Sequence, residues 1–176
     1  MNFKKIKLLV LDVDGVLTDC KLYIGGEGEV MKAFYGLDGL GISIALRNGL
    51  EVAIITGRDS KIVPYRCGEL GIKRYYLKIK DKTEKLHELM QELHLTKDEV
   101  AYMGDDLNDL APMSSVGCKL APINAVAEIK AIADYVTAAE GGKGAVREVI
   151  EKILQAQNKW EQIVAEFKVQ GTECQQ

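Results

Sequence analysis

The chain has 176 residues, of which 47% are hydrophobic and 28% charged, and carries a net charge of −3. That length suits one domain burying roughly 70% of its unfolded surface. No lysine or arginine block offers a footprint for nucleic acid, and no apolar stretch approaches the roughly 20 residues that span a bilayer, so neither is an expected partner.

The N-terminal Met-Asn-Phe-Lys-Lys-Ile-Lys carries positive charge, but no small-residue cleavage site follows its short apolar run. A cytoplasmic protein is expected. Cys20, Cys67, Cys118 and Cys174 lie far apart without a Cys-x-x-Cys pair, so zinc spacing is absent and reduced thiols are the default. His87 and His94 are the only histidines and lack a third ligand.

Leu8–Leu11 is an apolar run of the kind found in strands buried on both faces. It delivers Asp12 and Asp14 at period-two spacing, which places both on one face, and Gly15 then lets the chain turn away. Two acids so close repel each other and call for a cation or a proton; the plain alternative is a strand end capped by two solvated acids. Lys21–Tyr23 and Val30–Phe34 flank Gly25-Gly26-Glu27-Gly28 and predict a hairpin over about 20–35. A lone hairpin is marginal in water, so its apolar residues Leu22, Ile24, Val30, Met31, Phe34 and Tyr35 are expected to pack on something else, such as another subunit.

A helix follows from Asp38 to Arg47, stopped by Gly49, and Val52–Thr56 is a second buried strand ending in Thr56-Gly57-Arg58. Ser60 caps the next helix, which ends at Gly71 and tolerates Pro64 in its first turn. Arg74–Leu77 is a short strand. Residues 83–94 are helical, with Leu86, Leu89, Met90 and Leu93 three and four apart, and Thr96 with Glu99 marks a single turn. Val100–Met103 is a strand ending in Gly104-Asp105-Asp106-Leu107-Asn108-Asp109. Val116–Leu120 is a fifth strand, Ala125–Ala133 a helix, and Tyr135-Val136 a short strand. The closing segment keeps a helical apolar rhythm from Val146 through Phe167, and 171–176 read as a disordered tail. Strands alternating with helices predict a single α/β domain over 1–170: a doubly wound, Rossmann-like parallel sheet with helices on both faces and a projecting β-hairpin.

Several parallel strands thus present polar residues at one edge. Five carboxylates, Asp12, Asp14, Asp105, Asp106 and Asp109, face one lysine, Lys82, and cannot share a partly buried pocket without a further cation. All-oxygen ligands select a hard ion, Mg²⁺ fitting best. The Thr56 hydroxyl, the Lys82 ammonium and backbone N–H groups near Gly15 and Gly57 are the donors expected around a phosphate. Gly141-Gly142-Lys143-Gly144 lacks the flanking residues of a nucleotide-binding loop and is read as opening the last helix, with Lys143 and Arg147 as candidates for substrate or interface contacts.

Asp12-Val-Asp14-Gly-Val-Leu-Thr-Asp, Ile55-Thr56-Gly-Arg, Lys82 and Gly104-Asp105-Asp106-Leu-Asn-Asp109 together resemble the four motifs of the haloacid dehalogenase superfamily, in that family's order. The resemblance implies that Asp12 is a nucleophile, Asp14 a proton carrier, and Thr56 and Lys82 phosphoryl binders. It implies Mg²⁺ on the Asp12 carboxylate, the Asp14 backbone carbonyl and Asp105, with Asp109 behind the metal and Asp106 orienting Lys82. The short spacings from Asp19 to Leu40 and from Arg58 to Lys82 leave no room for a cap domain.

Asp38-Gly-Leu-Gly-Ile42, Thr56-Gly-Arg58-Asp-Ser60 and Gly141–Glu148 are further similar to the family that acts on 3-deoxy-D-manno-octulosonate 8-phosphate. That resemblance implies a precursor step of lipopolysaccharide synthesis and a homotetramer whose hairpins pack together and whose sites are completed by neighbouring subunits. A sugar-acid phosphate carries a remote carboxylate, for which Arg58 and Arg66 are suitable receptors, while Gly57 meets the substrate at its phosphate end. Phosphatases for nine-carbon, sialic-type 9-phosphates are the alternative and carry glutamate where Arg58 stands. A phospho-accepting switch or an accessory domain is the non-catalytic alternative; Asp14 speaks against a switch, which has no use for a second catalytic carboxylate.

Overall fold

The computed structural model describes residues 2–173, with side chains through Val169. Six strands form one parallel sheet in the order β5-β4-β1-β6-β7-β8: β1 (Leu8–Leu11), β4 (Glu51–Ile55), β5 (Arg74–Tyr76), β6 (Val100–Met103), β7 (Cys118–Ala121) and β8 (Tyr135–Val136). The chain winds outward from β1 through β4 to β5, then returns to the other side of β1 for β6, β7 and β8. The strand order therefore reverses between β1 and β6, the place where open α/β sheets leave a crevice at their carboxyl ends.

Side-chain alternation divides the core in two. Leu9, Leu11, Val52, Ile54, Ala101 and Met103 face α1 (Gly36–Arg47), α2 (Ile62–Leu70) and α6 (Ala145–Ala156). Leu8, Val10, Ala53, Ile55, Val100 and Tyr102 face α3 (Lys82–Glu92), α4 (Leu110–Ser114) and α5 (Ala127–Ile132). Burial on both faces is why these strands are continuous apolar runs.

The hairpin consists of β2 (Tyr23–Gly25) and β3 (Gly28–Met31), paired antiparallel as a separate two-stranded sheet. Leu22, Ile24, Val30 and Met31 are exposed. Only this hairpin is inserted between β1 and α1, and only α2 and β5 lie between β4 and α3, so there is no cap domain.

Several boundaries differ from the sequence reading. The strand predicted at 116–120 starts at Cys118, because Gly117 donates its N–H to the Lys97 carbonyl and Val116 turns into the core. The short α4, with Pro112 inside it, gave no periodic signal. The closing helical segment is two helices: Asn158 adopts φ 58° and separates α6 from α7 (Trp160–Glu173). Asparagine is among the few residues that tolerate this left-handed conformation. Helix α7 continues beyond residue 170, where the domain was expected to end; the rest of the predicted tail, 174–176, lies outside the described residues.

Candidate active site

The sheet register aligns three strand ends. Leu11 is level with Ile54 on one side and Met103 on the other, so Asp12, Thr56 and Gly104-Asp105 emerge together at the carboxyl edge. The backbone ladder runs into the site: the Asp12 N–H donates to the Met103 carbonyl and the Thr56 N–H to the Tyr76 carbonyl, at 3.1 and 3.0 Å. Asp12, Thr56, Lys82, Asp105 and Asp109 are all buried.

Lys82, the first residue of α3, reaches across to these strand ends. Its ammonium lies 3.0 Å from Asp12 Oδ2 and 2.7 Å from Asp109 Oδ1. Helix α3 can begin there because Asp81 caps it, accepting from the Thr83 and Glu84 N–H groups. The nearby Lys78 instead pairs with Asp59, and Lys85 with Glu88.

Asp109 is saturated. Its Oδ1 accepts from Lys82 and from the Tyr102 hydroxyl at 2.9 Å, and its Oδ2 accepts from the Asp105 N–H at 3.1 Å. Asp106 does not orient Lys82, contrary to the sequence expectation. It is exposed and caps the short turn over Leu107–Asp109, its Oδ1 accepting from the Leu107 N–H at 2.7 Å. That capped turn swings the residue three positions later inward, so Asp109 takes the role. Tyr102 went unnoticed because a tyrosine in an apolar strand reads as core.

Asp12, Asp105 and Asp109 offer oxygens that all lie within 4.8 Å of one another. Asp12 Oδ1 and Asp105 Oδ1 are buried without a hydrogen-bond partner. Buried carboxylate oxygens left without a partner are costly unless a cation lies beside them, and oxygen donors fit a hard divalent ion. The electrostatics agree. Burial, followed by the charges of Asp12 and Asp109, pushes the Asp105 carboxyl up to about 8. Burial and the Asp109 charge push Asp12 up to about 6 against the pull of Lys82. Burial alone works against the Lys82 ammonium, but Asp12 and Asp109 more than offset it and its pKa is raised.

Glycines make the close approach possible. Gly15 has φ +91°, and a Cβ there would lie 1.9 Å from Asp105 Oδ2. A Cβ on Gly141 would lie 1.8 Å from the Gly15 carbonyl oxygen. The 141–144 loop is thus a backbone brace beneath the Asp14–Asp19 turn, tied by the Gly142 N–H to the Val16 carbonyl and the Gly141 N–H to Asn124 Oδ1. Lys143 pairs with the neighbouring Glu140. Arg147 engages Glu151 and lies over the Trp160 ring, while its N–H is held by the Asp38 carboxylate. Asp38, near the start of α1, holds the Gly144 and Arg147 N–H groups that open α6.

Of the residues assigned to the substrate, Arg58 stands at the site, its Nε 3.5 Å from Asp14 Oδ2. Gly57 follows Thr56, whose hydroxyl accepts from the Arg58 N–H at 3.4 Å. The Arg66 guanidinium instead pairs with Glu69 at 3.2 Å and lies over the Phe34 ring. The hairpin contributes a residue that the sequence reading overlooked. Lys32 is buried, with its ammonium hydrogen-bonded to Asp14 Oδ1. The available signal was a lysine inside an otherwise apolar run.

A family model for haloacid dehalogenase-like hydrolase matches residues 76–150. The chain is 47% identical over 156 residues to the 3-deoxy-D-manno-octulosonate 8-phosphate phosphatase KdsC of Escherichia coli K12, spanning 89% of this chain and 83% of that one. The chain belongs to the KdsC family of haloacid dehalogenase-like hydrolases. The KdsC of Yersinia pestis is 45% identical over the same length. Among solved structures, the 3-deoxy-D-manno-octulosonate 8-phosphate phosphatase of Moraxella catarrhalis, in complex with magnesium ion, phosphate ion and KDO, matches with TM-score 0.91 and 42% identity. That match covers 94% of this chain and 95% of the other. The Yersinia pestis enzyme matches with TM-score 0.89 and 44% identity over 91% of this chain and 86% of that one.

Proposed function

We propose that this chain is a Mg²⁺-dependent phosphomonoesterase that hydrolyses 3-deoxy-D-manno-octulosonate 8-phosphate to the free sugar acid and phosphate. The observation that carries the chemistry is the pair of partnerless buried oxygens, Asp12 Oδ1 and Asp105 Oδ1, beside the Lys82 ammonium. The substrate is supported by the KdsC relatives and by the magnesium, phosphate and KDO bound to the Moraxella catarrhalis protein.

In this reading Asp12 attacks phosphorus, the bond to the sugar oxygen breaks, and Asp14 protonates that oxygen. Asp14 then takes a proton from the water that attacks the aspartyl phosphate, and phosphate departs as Asp12 is regenerated. Lys82 and Thr56 bind the phosphoryl oxygens as their charge redistributes. The Asp12 and Asp105 carboxylates and the Asp14 backbone carbonyl would hold Mg²⁺, which would supply the positive charge that lets a phosphate dianion enter a nest of acids. Asp109 fixes Lys82 and the Asp105 backbone. The Gly57 N–H joins Thr56 at the phosphate and Arg58 receives the remote carboxylate; Arg66 joins only if its guanidinium leaves Glu69.

The reading extends to a cytoplasmic homotetramer whose hairpins pack together and whose sites neighbouring subunits complete. The exposed Ile24, Val30 and Met31 support this, as does a site without a cap. Among the described residues no helix is long and apolar enough to cross a membrane. The test is phosphate release from a panel of sugar-acid and aryl phosphates with and without Mg²⁺. Preferred, Mg²⁺-dependent hydrolysis of the eight-carbon 8-phosphate is expected; an intact ester, or an equal rate on nine-carbon 9-phosphates, overturns the reading.

A further inference from the structure

Asp14 is held from two sides. Its Oδ1 is hydrogen-bonded to the Lys32 ammonium, whereas Oδ2 has no hydrogen-bond partner and faces Arg58 Nε at 3.5 Å. The Lys32 side chain is 1% exposed and also meets Glu29 Oε1 at 3.1 Å. The other Glu29 oxygen, Oε2, accepts from the Ser60 hydroxyl, and the same Ser60 oxygen accepts from the Ile62 and Val63 N–H groups at the start of α2. A connected chain therefore runs from helix α2 through Ser60 and Glu29 to Lys32 and ends on Asp14.

We propose that Lys32 is a positioning residue for the hydrolytic reaction. It clamps Asp14 Oδ1, which leaves Oδ2 as the oxygen that gives the proton to the leaving group and takes one from water. Glu29 is the second anion on the buried Lys32 ammonium and, through the Ser60 hydroxyl, ties it to the start of α2, which fixes where the ammonium stands relative to Asp14. The hairpin thus contributes a charge to the reacting carboxylate as well as an apolar face. The role of Lys32 rests on the reading of Asp14 as proton carrier.

The test compares Lys32→Met, Lys32→Arg, Glu29→Gln and Asp14→Asn on the sugar-acid 8-phosphate and on p-nitrophenyl phosphate, whose leaving oxygen needs no proton. For Lys32→Met we expect kcat on the sugar-acid ester to fall about 30-fold with KM within about three-fold, because a misplaced acid loses rate and not binding. Lys32→Arg, which keeps a charged donor, should recover kcat to within about five-fold of wild type. With p-nitrophenyl phosphate, Lys32→Met should still release p-nitrophenol in a burst and then turn over slowly, as Asp14 fails to activate water. An unchanged kcat, or a parallel loss of burst and turnover, overturns the role of Lys32. Should Lys32→Met fail to fold, Glu29→Gln decides: the same pattern at smaller amplitude supports the role and its absence overturns it. An inactive Asp14→Asn beside a normal Lys32→Met overturns only Lys32, whereas a fully active Asp14→Asn overturns the reading of Asp14 itself.

Discussion

Asp12 and Asp14 are two residues apart on one strand end, yet their surroundings differ in kind. Asp12 is buried among Lys82, Asp105 and Asp109, with one oxygen unpartnered. Asp14 is partly exposed and lies between Lys32 and Arg58. The first setting suits a group that attacks a bound phosphorus, the second a group that exchanges protons with leaving group and solvent. Asp12→Asn should lower kcat by about 10³-fold or more, since no neighbouring carboxylate can replace a positioned nucleophile. Its melting temperature without metal should be unchanged or higher, because the substitution removes a repelling charge. Steady-state kinetics with thermal melting check both; near-normal turnover would sink the covalent mechanism. At this scale the acids, Thr56 and Lys82 were legible, because carboxylates at buried strand ends are rare and informative. The exchange of Asp106 for Asp109 was not, because a capped turn decides which of two adjacent acids points inward.

At the scale of elements, the long apolar strands β1, β4 and β6 match their predicted positions to within a residue. Burial on both faces leaves no other composition available to them. The start of β7 was set by a contact distant in sequence, Gly117 on Lys97, and the break between α6 and α7 by the left-handed backbone of Asn158, which an apolar rhythm does not register. The hairpin was legible as a hairpin, but its link to chemistry through Lys32 required knowing how it folds back over the strand end. Its exposed face carries a prediction. Ile24→Lys with Val30→Lys, at positions 59% and 64% exposed in the isolated chain, should break the proposed tetramer into smaller species. Each lost contact forfeits about 1.5–3 kcal/mol of apolar burial. Sedimentation equilibrium reads the assembly, and kcat/KM should fall about ten-fold as the site loses its neighbour. A wild-type monomer with full activity would refute the shared site.

For the whole molecule, the acid cluster makes stability a function of pH and metal together. Burial and neighbouring acids hold Asp12 at about 6 and Asp105 at about 8, against the ordinary 3.8 of a free aspartate. Both are raised, so the folded protein keeps protons that the unfolded chain has released. The resulting contribution is fully present below the unfolded value and is lost as pH rises towards about 6 and then about 8. The metal-free melting temperature should therefore decline over that window, and more steeply than in Asp105→Asn. Mg²⁺ should restore several degrees near pH 8 and little near pH 5, where it competes with protons for the same oxygens. Calorimetry with and without Mg²⁺ checks this, and a metal-free profile parallel to that of Asp105→Asn would refute it.

The sequence alone determined the parallel α/β domain, the missing cap, the acid-rich strand ends and the need for a hard cation. These depend on local pattern and on charge counting along the chain. Only the tertiary structure decided which oxygens are left without partners, that Asp109 and Tyr102 support Lys82, that the glycine loop braces Gly15, and that Lys32 holds Asp14. Those relations join residues up to 126 positions apart, as Gly15 and Gly141 show. Their geometry is set by how the sheet and its helices pack, which no local pattern encodes.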